Sequence, residues 1–144
     1  MEIAELVSGT LTEFSREKIL ALEDAMRAFP ELPAEARPVR HLFAPGLYLR
    51  EVFIPEGVLM TGRIHKHEHI CMVLGDITIY SAEGLQRITG CETFVSPAGV
   101  KRAVVTHAPT WVTNVHPNPT DERDIARLEA MFTVESYAQL EGAR

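Results

Sequence analysis

Met60-Thr61-Gly62-Arg63-Ile64-His65-Lys66-His67-Glu68-His69-Ile70-Cys71-Met72-Val73-Leu74-Gly75 is the stretch on which the reading of this chain turns. Residues 65–69 hold three of the six histidines and a carboxylate, and the residues that follow are apolar up to Gly75. Imidazole nitrogen and carboxylate oxygen are ligand types that divalent transition metals share. Solvated loop histidines are the plain alternative. So tight a cluster, set directly before a buried run, favours a metal site. Residues two apart on a strand share a face, so His65 and His67, or His67 and His69, can point the same way.

Outward from this stretch the chain reads as short strands. Tyr48 to Ile54 is one, ended by Pro55-Glu56-Gly57. His69 to Leu74 is another, and Ile77 to Tyr80 continues with period two until Ala82-Glu83-Gly84. Thr93-Phe94-Val95 leads into Ser96-Pro97-Ala98-Gly99, and Ala103 to Val105 and Trp111 to Val115 follow. Strands at this density, punctuated by Gly and Pro, predict a mainly β sandwich or small barrel.

Helical patterns flank the strands. Phe14, Ile19, Leu22, Ala25, Met26 and Phe29 recur at helical spacing between Thr12 and Phe29, with Thr12 or Ser15 as the cap and Pro30 as the stop. This helix is expected to pack or dimerise outside the main core. Pro30, Pro33 and Pro38 form a linker. After Pro117-Asn118-Pro119, Thr120 or Asp121 caps a second helix with a stripe of Ile125, Leu128 and Phe132, and Val134 to Leu140 adds a shorter one. The expected division is residues 1–46 for helix and linker, 47–117 for the barrel and 118–144 for the C-terminal helices.

Composition narrows the functional classes. The 144 residues suit one domain, with 46% hydrophobic and 24% charged residues as in ordinary globular proteins. A net charge of -6 argues against a nucleic-acid partner, which calls for a Lys/Arg stripe. No apolar run reaches the ~18 residues that cross a bilayer, and Met1-Glu2-Ile3-Ala4-Glu5 is acidic where a secretory signal is basic. Cys71 and Cys91 are read as buried and reduced. A cytoplasmic protein is expected.

Two motifs in order then resemble the cupins. Their first motif places two His one residue apart, then a Glu, then six residues before a Gly. Here six residues separate Glu68 from Gly75. Their second is a Pro-x-Gly turn, matched by Pro97-Ala98-Gly99, ordinarily with a His three residues on. The resemblance covers Leu47 to His116. It implies a jelly-roll barrel with N-terminal and C-terminal helices, pairing as a homodimer. It also implies one divalent metal (Fe, Mn, Ni or Zn) held inside near an open mouth. His65-Lys66-His67-Glu68-His69 and the terminal helices also resemble small cupin-like proteins of phages and prophages.

Two departures keep the ligand set open. The His pair abuts Glu68, where cupins leave three or four residues, so candidates are His65, His67, Glu68 and His69 in several combinations. Arg102 stands where the fourth ligand is expected, and a guanidinium cannot coordinate a cation. Arg102 is instead a candidate for binding a substrate carboxylate, or for pairing with Glu68 or Glu92 at the rim. His116 is an additional candidate ligand if the last strand runs past the mouth. His41 and His107 are read as bystanders, and Trp111, Phe53 and Phe94 as core.

Other chemistries fail on spacing. His67-Glu68-His69-Ile70-Cys71 lacks the second His of a zinc-peptidase helix. The chain is too short for an eight-fold α/β barrel. No serine or cysteine has the context of an activated nucleophile. Two functions stay open: a metal-dependent enzyme (oxygenase, decarboxylase, isomerase or lyase) acting on a small oxygen-bearing substrate, or a non-enzymatic binding or assembly module of phage descent.

Overall fold

Period-two alternation along one long strand organises the molecule. A computed structural model describes residues 16–142. Phe14, Thr12 and Ser15 lie outside them. The elements are α1 (Arg16–Met26), a short 3-10 turn (Ala34–Ala36), β1 (Val39–Ala44), β2 (Leu47–Ile54), β3 (Leu59–Thr61), β4 (Ile64–His65), β5 (His69–Ser81), β6 (Gly84–Ser96), β7 (Ala103–Thr106), β8 (Thr110–Pro117), α2 (Ile125–Phe132), β9 (Thr133–Val134) and α3 (Tyr137–Gly142). No helix among the described residues is long and apolar enough to cross a membrane.

β5 is the axis of a curled, antiparallel seven-stranded sheet in the order β1-β2-β8-β5-β7-β3, with β6 on the other edge of β5. His69, Cys71 and Val73 are buried while Ile70, Met72 and Leu74 between them are exposed. The first half of β5 pairs with β8 and the second half with β7. The change of partner occurs at Gly75, whose φ of +148° suits only glycine. A Cβ there would run into Thr110 Oγ1 and come within 2.7 Å of the Pro109 carbonyl. The corner is tied by His107 N–H donating to the Asp76 carbonyl (2.8 Å) and Asp76 N–H donating to Thr110 Oγ1 (3.2 Å).

The inner face carries the core: Cys71, Val73, Ile77, Ile79 and Ile88, with Phe94, Val104 and Val112 against them. α1 packs Ile19 and Leu22 onto Ala103. The helix is further fixed by an ion pair between Glu23 and the buried Lys101. Burial works to raise the Glu23 carboxyl, but bonds from Lys101 and Thr61 outweigh it and hold the group below its usual range. α2 covers Tyr48 with Leu128 and Phe132.

Several local expectations differ from the structure. β1 lies inside the segment read as linker, because Val39, His41 and Phe43 alternate with Arg40, Leu42 and Ala44 and pair with β2. β6 runs the full length of β5 although residues 85–92 carry few apolar side chains, since the pairing itself satisfies the backbone. α2 is capped by Asp124, which accepts from Arg127 N (3.0 Å). Asp121 instead accepts from Gly46 N (2.8 Å), closing the β1–β2 turn. Cys71 is buried but Cys91 is exposed, and Trp111 is 40% exposed. Both of these point outward, where Leu74 stands between them in the ladder.

Candidate metal centre

Cross-strand register builds the site. On the inner face, Tyr48 lies opposite His116, and in the next row Arg50 lies opposite Asn114, which lies opposite Cys71. Extending the β5–β8 ladder beyond Ile70↔Val115 brings the end of β8 beside the start of β5. There the rings of His69 and His116 are 4.7 Å apart between centroids. His65 arrives from β4, 4.2 Å from His69 and 5.4 Å from His116. One ring nitrogen from each of the three lies within 4.8 Å of the others.

His65 is held from two sides. Its residue pairs with Thr133 of β9, and its carbonyl accepts from Gly99 N (2.9 Å). The Pro97-Ala98-Gly99 turn therefore positions a histidine through the backbone. Phe132, just before β9, stacks on His116 at 4.4 Å and 13°. The C-terminal helix is thus one wall of the site.

Of the four histidines and carboxylate expected from the sequence, the structure brings together His65, His69 and His116. His67 and Glu68 are exposed and stand outside this group. The physical reason is a bend at Lys66-His67, which interrupts the strand so that period-two parity does not run from His65 to His69. Lys66 N–H donates to the Phe132 carbonyl (2.8 Å) and its ammonium to the Ala130 carbonyl (2.7 Å). Arg63 pairs with Glu129 and Glu135.

The electrostatics keep the His65 and His116 imidazoles neutral. Burial, then the neighbouring His69, His116 and the two arginines, push His65 down to about 3. Burial, then His69, Arg50 and His67, push His116 down to about 4. Neutral rings offer lone pairs, which a metal requires. His69 Nδ1 lies 3.2 Å from the His67 carbonyl and Nε2 lies 3.0 Å from Asn114 Oδ1.

Two guanidiniums complete the inner wall. Arg102 donates to Ser96 Oγ (2.7 Å), and Ser96 is the β6 partner of His69. Arg50 shares the inner face with Tyr48 and Val52 and keeps contact with solvent. Burial lowers the pKa of both, yet arginine stays charged. Arg50 and Asn114 escaped the sequence reading. Asn114 and His116 are two apart on β8, and that spacing was the available signal. His41, expected as a bystander, is bonded through Nδ1 to the Tyr48 hydroxyl (2.7 Å), and His107 through Nε2 to Thr78 Oγ1 (2.7 Å).

No family model matches the sequence, and no match is found among curated proteins. Solved structures are similar in fold. KdgF from Halomonas sp. superposes with a TM-score of 0.50 at 17% identity, over 66% of this chain and 86% of that one. Salicylate 1,2-dioxygenase from Pseudoaminobacter salicylatoxidans, with gentisate adducts, gives 0.52 at 15% identity over 81% of this chain. The match takes in only 32% of the dioxygenase chain. A cupin superfamily protein from Desulfitobacterium hafniense gives 0.49 at 10% identity, over 61% and 83%. Identities this low establish the fold alone. With its curled antiparallel half-barrel and flanking helices, the chain has a cupin-type fold.

Proposed function

We propose that this cupin holds a divalent transition metal through His65, His69 and His116, and receives a small anionic, oxygen-bearing ligand beside it. The observation that carries this reading is the convergence of three imidazoles, two of them strongly disfavoured as cations, on one point of the inner wall. Three histidines are a recurrent catalytic zinc set, and imidazole equally suits Fe and Ni. When bound, such an ion supplies Lewis acidity, or redox chemistry if it is Fe or Mn.

The chain's own groups define the ligand. An imidazole bound to a metal carries no charge, so three of them would leave the double charge of the ion uncompensated, and Arg50 and Arg102 add positive charge to the same wall. An anion resolves this imbalance, and a planar guanidinium binds a carboxylate in a two-pronged fashion. A metal-free anion-binding module is the second reading, favoured by Arg102 at the usual fourth-ligand position.

Calorimetric titration with Zn2+ or Mn2+, then with oxalate, separates the two. The expected result is a single metal site that His69→Ala or His116→Ala abolishes, with oxalate raising metal affinity. Arg50→Leu and Arg102→Leu should each weaken oxalate by about 10-fold or more. Oxalate binding without any metal site would support the second reading.

The homodimer reading rests on the outer sheet face. One row crosses five strands as Leu42, Leu49, Val115, Ile70 and Val95, and another as Phe53, Trp111, Leu74 and Cys91. Leu42, Ile70, Met72, Leu74, Val95 and Trp111 are all exposed. A second copy of this chain covers such a face through a two-fold axis, patch against patch.

A further inference from the structure

We infer that Asn114 is a metal ligand, its side-chain oxygen completing the set begun by His65, His69 and His116. The inference deepens the metal site proposed above and rests on it.

The argument starts from the proton on His69. Its Nδ1 lies 3.2 Å from the His67 carbonyl and its Nε2 3.0 Å from Asn114 Oδ1, so a ring with one N–H must turn the lone pair of its other nitrogen toward an oxygen. Metal-binding histidines characteristically donate their second nitrogen to a carbonyl. With the hydrogen on Nδ1 in this manner, the lone pair is on Nε2. Nε2 lies 3.0 Å from Asn114 Oδ1, which also has only lone pairs to offer. Two acceptors aimed at each other repel unless a cation lies between them.

The spacing fits that cation. Two ligands bound at about 2.1 Å and at right angles are about 3.0 Å apart. His69 Nε2 and Asn114 Oδ1 have this separation. Asn114 reaches the place because β8 alternates: it shares the inner face with His116, two residues on, and lies across the ladder from Cys71 of β5. A neutral amide oxygen is a hard donor that octahedral metals accept. It also supplies from the last strand the fourth contact that Arg102 cannot provide.

The alternative is an amide turned end for end, with its NH2 donating to Nε2. In that case Asn114 competes with the metal for the ring's lone pair. The two arrangements predict opposite signs. Zn2+ and Co2+ affinities, read by competition with a chromophoric chelator, should fall at least about tenfold in Asn114→Leu. They should hold or rise in Asn114→Asp, which keeps the shape and adds charge. The Co2+ visible spectrum should change in Asn114→Leu and persist in Asn114→Asp. Equal or tighter metal binding by Asn114→Leu overturns the inference while leaving the three-histidine site intact. Failure of the wild-type protein to bind either ion, or undiminished binding by His69→Ala, overturns the site itself and this ligand with it. Should Asn114→Leu not fold, a drop in affinity for Asn114→Ala decides for the ligand, and unchanged affinity decides against it.

Discussion

Phe132 lies nearly flat on His116, their ring centroids 4.4 Å apart and their planes 13° from parallel. One belongs to the C-terminal helix and the other to the last barrel strand, so the helix is fastened to the barrel at the candidate ligand. Phe132 also touches Tyr48, with centroids 6.1 Å apart.

Replacing this ring should therefore loosen both stability and metal binding. Phe132 is buried, and deleting a buried aromatic costs about 3 kcal/mol or more. Phe132→Ala should lower the urea midpoint accordingly and reduce metal affinity, because His116 loses the surface that orients it. Phe132→Leu should recover stability more fully than affinity. Equal affinities in wild type and Phe132→Ala would show that the stack does not position the histidine.

Acid should destabilise the metal-free protein through the same cluster. His65 is pushed to about 3 and His116 to about 4, both below the ordinary 6.5. Between those values and 6.5 the unfolded chain binds protons that the folded chain refuses. Stability from these groups is thus complete above pH 6.5 and lost as pH falls, by up to about 1.4 kcal/mol per pH unit from each. Other groups titrate nearby, so the measurement is the difference in urea stability between wild type and His116→Asn from pH 8 to 4. The difference should shrink with acid. A constant difference would mean that His116 is not held neutral by the fold.

Gly75→Ala should be among the most damaging single-methyl additions. The new Cβ would strike Thr110 Oγ1 and the Pro109 carbonyl, and a φ of +148° is strained for any side chain. A loss above about 2 kcal/mol is expected. Gly57, with open space around it, is the control. Equal losses for Gly57→Ala and Gly75→Ala would show that backbone strain, and not the corner contact, sets the cost.

Met72 stands at the centre of the outer face, flanked across the ladder by Thr113 and Thr93. Light scattering of the wild type at micromolar concentration should give twice the 16.1 kDa of the chain. Trp111→Glu or Met72→Glu should give the single-chain mass with unchanged far-ultraviolet circular dichroism. A wild-type mass of one chain, independent of concentration, rejects the pairing.

The barrel was legible because alternation is a local signal: His69 to Leu74 reveals its two faces without reference to any partner. β1 and β6 were less so. β1 hides behind Pro38, and β6 has exposed side chains on much of its length, so its evidence lies in the backbone pairing with β5. At the candidate site, the nearness of His65 and His69 was readable from their density in the sequence. The roles of His67 and Glu68 were not, because a bend at residues 66–67 defeats the period-two rule on which their inward direction depended. His116 is distant in sequence, and only the register between β5 and β8 places it next to His69. Asn114 offered only its two-residue spacing from His116, a weak signal because amides are common on strands.

The division of β5 between β8 and β7 has a consequence for how the protein is made. The chain leaves the ribosome with His65 and His69 first, and β8 follows only after β6 and β7. β8 is also the strand that joins β2 to β5, so the early strands have no shared neighbour until nearly the whole barrel has been synthesised. Pairings between such remote segments carry a large entropic cost before they return any stability, which makes folding late and slow. A nascent chain therefore displays its histidines as a loose pair without the third. On the proposed metal reading, selection of the ion would wait for the finished barrel, when geometry and not mere affinity can discriminate.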